Sequence, residues 1–169
     1  MELVVPQQEI IDTMNTFLSV NEVLTTSDVL MKIALDVKNN IFLRTIGGKD
    51  FQYNPFIEYR DKYLKYKKAK GKDQGNVNLS LTGTMLNAMT QKALNNYSIK
   101  IFFTNKQESD KAERHNTTGY NGLRKRKFFF IGDKDKELAL QTYNEAIYKS
   151  IQYTTRQSKI SNWSKLLRG

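Results

Sequence analysis

From Tyr97 to Phe103 the side chains of Tyr97, Ile99, Ile101 and Phe103 alternate with Ser98, Lys100 and Phe102. A period of two is what an extended strand with one buried face requires. A strand leaves backbone donors and acceptors on both edges, and these need partners, so this stretch commits the chain to a sheet. A second extended segment is expected around Phe128-Phe129-Phe130-Ile131, ended by Gly132. Between them, residues 106–123 are polar, with Gly119 and Gly122 giving turn freedom, and the spacing there predicts a loop.

The remaining apolar residues keep a helical period. Ile10, Ile11, Met14, Phe17 and Leu18 predict a helix over about 7–19. Leu30, Ile33, Ala34, Val37 and Ile41 predict a longer one over about 27–45, with Ser27 or Asp28 to cap it and Gly47-Gly48 to stop it. Asn54-Pro55 marks a turn. After it, Phe56, Tyr59, Tyr63 and Tyr66 share one face of an expected helix over about 56–69, with Lys62, Lys65, Lys68 and Lys70 on its solvated side. Val77, Leu79 and Leu81 alternate with Asn78 and Ser80 as a short extended piece. Met85, Leu86, Met89 and Ala93 then predict a helix over about 84–94. Leu140, Tyr143, Ile147 and Ile151 line a last helix over about 134–154, capped by Asp133 or Asp135. The fold class expected is α+β: a small antiparallel sheet packed with several helices, in a single domain with extended N- and C-terminal segments. Residues 1–155 form the domain, and the basic stretch 156–169 forms a C-terminal arm.

Composition closes off most chemistry. The chain of 169 residues has no cysteine, which excludes disulfides, thiolate metal sites and thiol nucleophiles. One histidine, His115, cannot supply a multi-histidine metal site, and in a polar, turn-rich stretch it reads as a surface or hydrogen-bonding group rather than a base. Glu108, Asp110 and Glu113 could be imagined as a metal cluster, but they interleave with Lys106, Lys111 and Arg114 in the charge alternation of a solvated helix face. Neither Gly47-Gly48 nor Gly71 has the spacing of a phosphate loop. The expectation is a non-enzyme with no catalytic residues, no cofactor and no metal. No apolar run reaches the length of a membrane span. The segment Met1 to Pro6 has neither the basic region nor the apolar stretch of a signal peptide, so synthesis in a cytoplasm is expected.

Two basic runs remain, Lys62 to Lys72 with Lys65 and Lys68, and Arg124-Lys125-Arg126-Lys127 ahead of the phenylalanines. With a net charge of +10 they predict attraction to an acidic surface or to nucleic acid. Basic residues interleaved with aromatics are also what single-strand binders use, so a basic nucleic-acid-binding protein is the alternative reading. Arg126 is expected to hold its charge at the surface end of a buried strand.

The order of these motifs resembles that of the tail-completion, or head–tail joining, proteins of tailed bacteriophages, also known as neck or virion morphogenesis proteins. The residues that carry the resemblance are Tyr59 and Tyr63 with Lys67, then Val77-Asn78-Leu79-Ser80-Leu81-Thr82-Gly83-Thr84-Met85-Leu86. Ala112, His115, Asn116 and Gly119 follow, then Arg124-Lys125-Arg126-Lys127-Phe128-Phe129 and Ile131-Gly132. It covers about residues 37–152 and departs at Lys127, where such proteins commonly have Pro or Glu. The resemblance implies a virion structural protein at the neck, in a homo-oligomeric ring of six or, second, twelve copies. The ring would touch adjoining portal or adaptor and tail-tube or tail-terminator proteins, and potentially genomic DNA. Thr82-Gly83 would turn the chain into a helix with a Thr hydroxyl on its first amides, Phe128 and Phe129 would pack inside, and the loop 104–123 would order on assembly against a neighbour.

Overall fold

The computed structural model describes residues 3–4, 26–72, 77–80, 82–95, 98–119 and 124–166; the helix expected over 7–19 lies outside them. In chain order these residues form strand β1 (Leu3–Val4), helices α1 (Thr26–Ile46), α2 (Asp61–Ala69) and α3 (Thr84–Asn87), strands β2 (Met89–Asn95) and β3 (Ser98–Phe103), and helices α4 (Lys106–Thr117) and α5 (Asp133–Leu166). The fold is α+β, with a three-stranded antiparallel sheet in the order β1-β3-β2.

Helix α1 is the spine. Val29, Leu30, Ile33, Ala34, Val37 and Ile41 are buried along one stripe, each contributing about 1.5–3 kcal/mol by leaving water, and less for Ala34. The helix stops because Gly48 takes a left-handed φ of 79°. That turn lets Lys49 N–H reach Arg44 O (2.8 Å) and Gly48 N–H reach Thr45 O (3.1 Å), the paired bonds that satisfy the last carbonyls of a helix.

Strand β3 follows its alternation, with Ile99, Ile101 and Phe103 buried and Ser98, Lys100 and Phe102 half-buried. Its neighbour β2 replaces most of the helix expected over 84–94, of which only the turn of α3 is helical. Met85, Met89 and Ala93 recur every four residues, and a step of four satisfies both the helical period and the strand's period of two. Pairing decides the outcome: Met89 sits opposite Phe103 and Gln91 opposite Ile101. Residues 77–80 lie outside the sheet. Their expected alternation fails as well, because Asn78 is buried beside Leu79.

Three further expectations change. Residues 56–60 are not helical, and α2 begins at Asp61, so Phe56 is buried from an irregular segment. Residues 106–117 are helix rather than loop. Asn105 caps α4 by accepting Glu108 N–H at 2.9 Å, and the buried face is Glu108, Ala112, His115 and Asn116, a helical spacing with one apolar member. Residues 128–131 form no strand. Phe128 and Phe129 are successive and both fully buried, whereas a strand would send one of them outward.

Helix α5 lies antiparallel on α1, with Asp135 at the level of Arg44 and Thr142 at that of Asp36. Its 34 residues make it about 51 Å long, and its backbone stays helical to Leu166, through most of the expected arm. The face against α1 is Ala139, Thr142, Tyr143, Ala146 and Ser150, mostly small groups that let two helices approach closely. Of the stripe expected to face inward, Tyr143 is buried and Ile147 half-buried, while Leu140 (48 %) and Ile151 (44 %) are exposed. The inward face is therefore rotated from the one the large side chains suggest.

Candidate functional site

Two buried polar networks hold the irregular segments, and both are built on cations. The first begins with Arg44 on α1, 3 % exposed, against Asp135, 0 % exposed, in the first turn of α5. Arg44 Nη1 donates to both Asp135 carboxylate oxygens. Its Nη2 donates to Phe128 O (3.0 Å) and Phe130 O (2.6 Å). The Asp135 carboxylate also accepts from Asn40 Nδ2 (2.8 Å) and Gly132 N–H (2.7 Å), so Asp135 rather than Asp133 closes the start of α5. A Cβ at Gly132 would lie 2.0 Å from Phe51 O, which is why the chain passes this point on a glycine.

The second network is centred on Tyr59, in the irregular segment ahead of α2. Its hydroxyl donates to Asn78 O. Lys67 Nζ lies 4.9 Å from the ring centre and donates to Asn78 Oδ1 at 2.8 Å. Arg126 Cζ lies 4.7 Å from the same ring, and both cations meet the negative potential of its π face. Arg126 reaches Ile57 O from Nε (3.2 Å) and Nη2 (2.8 Å), Glu58 O from Nη2 (3.3 Å) and Arg124 O from Nη1 (3.0 Å). Its own N–H donates to His115 O at 2.7 Å. One residue along α4, Asn116 Oδ1 accepts from Phe128 N–H (2.9 Å) and Phe129 N–H (3.1 Å).

These contacts correct three expectations. Arg126 is 2 % exposed and is not at the surface end of a strand. Lys67 is fully buried while Tyr66 is 47 % exposed, so the aromatic face of α2 is only partly the inner one. His115 is buried on a helix rather than in a surface turn. Arg124, Lys125, Lys127, Lys65 and Lys68 are exposed. At Thr82-Gly83 the glycine has the left-handed φ of 79° and stands at the N-cap of α3, and the Thr82 hydroxyl accepts from the first amide of that helix, Thr84 N–H, at 3.5 Å. The same hydroxyl also meets that of Thr84 at 2.9 Å.

Burial sets the electrostatics. Desolvation lowers the Arg126 pKa, opposed by Tyr59 and Tyr63, but a guanidinium keeps its proton under all ordinary conditions. Burial raises the Tyr63 hydroxyl, with Arg126 pulling the other way. His115 is lowered to about 4, first by desolvation and then by the Arg126 charge. A histidine whose folded pKa lies below its unfolded value of 6.5 binds its proton more readily when unfolded. Its neutral form thus supports the fold fully above 6.5, and that support is lost as pH falls from 6.5 towards 4. The expected slope is about 1.4 kcal/mol per pH unit within that window. Denaturant titrations of the wild type and His115→Gln across it should show the wild type losing stability faster by roughly that slope.

Neither network offers a nucleophile beside a base. Among the described residues no group of three or more His, Cys, Asp and Glu side chains could hold a metal ion, and no helix is long and apolar enough to cross a membrane. Glu108 is buried and paired with Lys111 at 2.8 Å. The open groove of about 330 Å³ between α1 and α5 has Asp36 in its wall, and that carboxylate already holds Lys32 and Thr142.

No family model, no curated protein and no solved structure matches the chain. What the arrangement can do must be read from the geometry itself. Tyr59, Lys67, Asn78, His115, Asn116 and Phe128 meet in one continuous hydrogen-bonded and packed network. Their work is to bind three segments without sheet or helix bonds of their own, 56–60, 77–80 and 124–131, to α2 and α4. Sequence reasoning singled out Arg126 and Phe129 there but missed Arg44 and the inward turn of Asn78. A lone Asn between Val77 and Leu79 was the available signal.

Proposed function

We propose that the chain is a structural subunit of a tailed-phage particle, closing into a homo-oligomeric ring at the head–tail junction around the DNA channel. The observation that carries this reading is the outward face of α5. Leu140, Tyr148 and Ile151 stand exposed on it, Tyr148 to 63 %, and just beyond the buried Ser150 the side chains of Ile151 to Tyr153 are exposed. The backbone of α5 then continues to Leu166, past the level of the first turn of α1. Exposed apolar side chains gathered on one helix are characteristic of an interface. The polar clusters, in contrast, are consumed in holding the fold together.

In a ring this face seats on a different surface of the next copy, and the contacts close after a fixed number of subunits. Six is the expected number and twelve the second, and adjoining portal, adaptor or tail-tube proteins would cap the two faces. The particle's neck is then where the chain resides.

Sedimentation velocity tests the reading. The wild type is expected as one closed oligomer, and Leu140→Glu/Ile151→Glu as a monomer with an unchanged circular dichroism spectrum, since exposed positions cost about 0.5 kcal/mol or less. A wild type that stays monomeric at every concentration, or an oligomer indifferent to the double substitution, would overturn it.

A further inference from the structure

Helix α5 outruns the helix it packs on. Thr142 stands at the level of Asp36, and α1 starts ten residues before Asp36, so α5 leaves α1 behind at about residue 152. Its backbone nevertheless continues helical to Leu166. Residues 154–169 hold Arg156, Lys159, Lys165 and Arg168 and no Asp or Glu. Among them Ile160, Trp163 and Leu167 keep the i, i+3, i+7 spacing of helices that dock into grooves. Apolar groups so spaced, at the end of a helix that has passed its neighbour, call for a surface to bury them.

A surface of matching character lies in the groove of about 330 Å³ between α1 and α5. Leu43 and Leu138 line it towards one end, and Asp36 and Glu145 towards the other, with Lys32 beside them. Leu43 is 60 % exposed, an apolar side chain left to water. The charges there run against the rest of the molecule. In a chain of net charge +10, two carboxylates against one ammonium make the groove locally acidic. Lys32 neutralises Asp36 at 2.8 Å, whereas Glu145 meets the neutral amide of Gln141 and keeps its charge uncancelled. Complementary charge of this kind fixes the direction and register of docking more than its strength.

We propose that the arm of one copy, residues 156–168, seats in the α1–α5 groove of the next copy, with Trp163 as the anchor against Leu43 and Leu138. The arm cannot reach its own groove. Trp163 stands 18 residues beyond Glu145, about 27 Å farther along one continuous helix. The occupant therefore comes from another molecule, and a contact between unlike surfaces is the head-to-tail kind that closes into a ring. As helix, Ile160 to Leu167 span about 10 Å and Lys32 to Leu43 about 16 Å, so the anchors fit within the groove's length. Tryptophan is among the side chains that most often dominate an interface. On α5 the groove residues Leu138, Gln141 and Glu145 fall on the flank away from Leu140 and Ile151, at the helix's step of about 100° per residue. The contact is thus additional to the outward face of α5, and it rests on the same reading, that copies of the chain assemble.

Trp163 is the only tryptophan of the chain, so its fluorescence reads the contact directly, with sedimentation run on the same full-length samples. In the assembled wild type the emission is expected towards the blue and acrylamide quenching suppressed several-fold, both being lost on dilution to monomer. Leu43→Glu, which leaves the arm itself untouched, is expected to restore quenching to the monomer level with an unchanged circular dichroism spectrum. Glu145→Lys, a milder change at an exposed position, is expected to restore part of it. Leu94→Glu, exposed to 50 % on β2, is expected to leave quenching as in the wild type, and equal exposure of the indole there would overturn the assignment. An assembled wild type whose indole is open to quencher, as when another segment of the same chain fills the groove, would overturn it and leave the ring reading standing. So would an assembled Leu43→Glu whose indole stays shielded. A wild type that is monomeric at every concentration would overturn both.

Discussion

Asp135→Asn is expected to lower unfolding free energy by about 3–5 kcal/mol in denaturant titrations, because it strips the charge partner from a guanidinium that has no route to water. Arg44 and Asp135 are both essentially sealed from solvent, and the remaining Arg44 bonds go to the carbonyls of Phe128 and Phe130. The amide keeps the shape of the carboxylate and can still accept from Gly132, but its NH2 then faces the Asn40 and Arg44 donors, so the loss combines the charge with one acceptor. Replacing the pair by Arg44→Met/Asp135→Leu should recover part of the loss, since apolar groups of similar volume often substitute for a buried pair. Recovery stays incomplete because both carbonyls lose their donor inside the protein. A neutral Asp135→Asn would mean that the pair does not anchor α5.

Phe129→Ala is the second large effect, at about 3–5 kcal/mol. The ring is fully buried, with its centroid 4.8 Å from that of Phe103 on β3 and 6.1 Å from that of Phe128. It is where the irregular segment 124–131 meets the sheet. Removing it leaves a cavity bordered by Phe103 and Phe128, and the Asn116 bonds to the Phe128 and Phe129 amides limit how far the backbone can collapse into it. Urea titration should show a lowered midpoint with the slope retained. A midpoint unchanged from wild type would place the ring at a surface contact instead.

The elements legible in the sequence are those whose inner faces are apolar. Helix α1 announces itself by its stripe from Leu30 to Ile41 and by the glycine that ends it, and β3 by its alternation. Helix α4 is hidden because its inner face is mostly polar: Glu108, His115 and Asn116 are buried by a network that only the folded chain assembles. Phe128 to Ile131 reads as a strand because apolar runs usually are strands. Here the backbone groups are satisfied by Asn116 and by Arg44, which is 84 residues from Phe128, a distance no local pattern reports. The face of α5 is misread for a related reason. Close helix packing selects Ala139, Ala146 and Ser150 as the inner groups, and the larger side chains beside them remain outside.

In the candidate site the same asymmetry appears. The charge of the two runs is plain in the sequence, and so is the aromatic neighbourhood. What is invisible is which cation goes inside, since Lys67 and Arg126 are buried between neighbours, Lys65, Lys68, Lys125 and Lys127, that stay in water. The pocket formed by Tyr59 and Asn78, 19 residues apart, makes that choice.

The outward face of α5 is held to be completed by another copy of the chain, and a photoreactive benzoylphenylalanine in place of Tyr148 reports on it directly. Irradiation is expected to give a ladder of covalent adducts that stops at a fixed subunit number, with the linked peptide lying outside α5. A single uncrosslinked band, or adducts confined to the residue's own chain, would contradict the account.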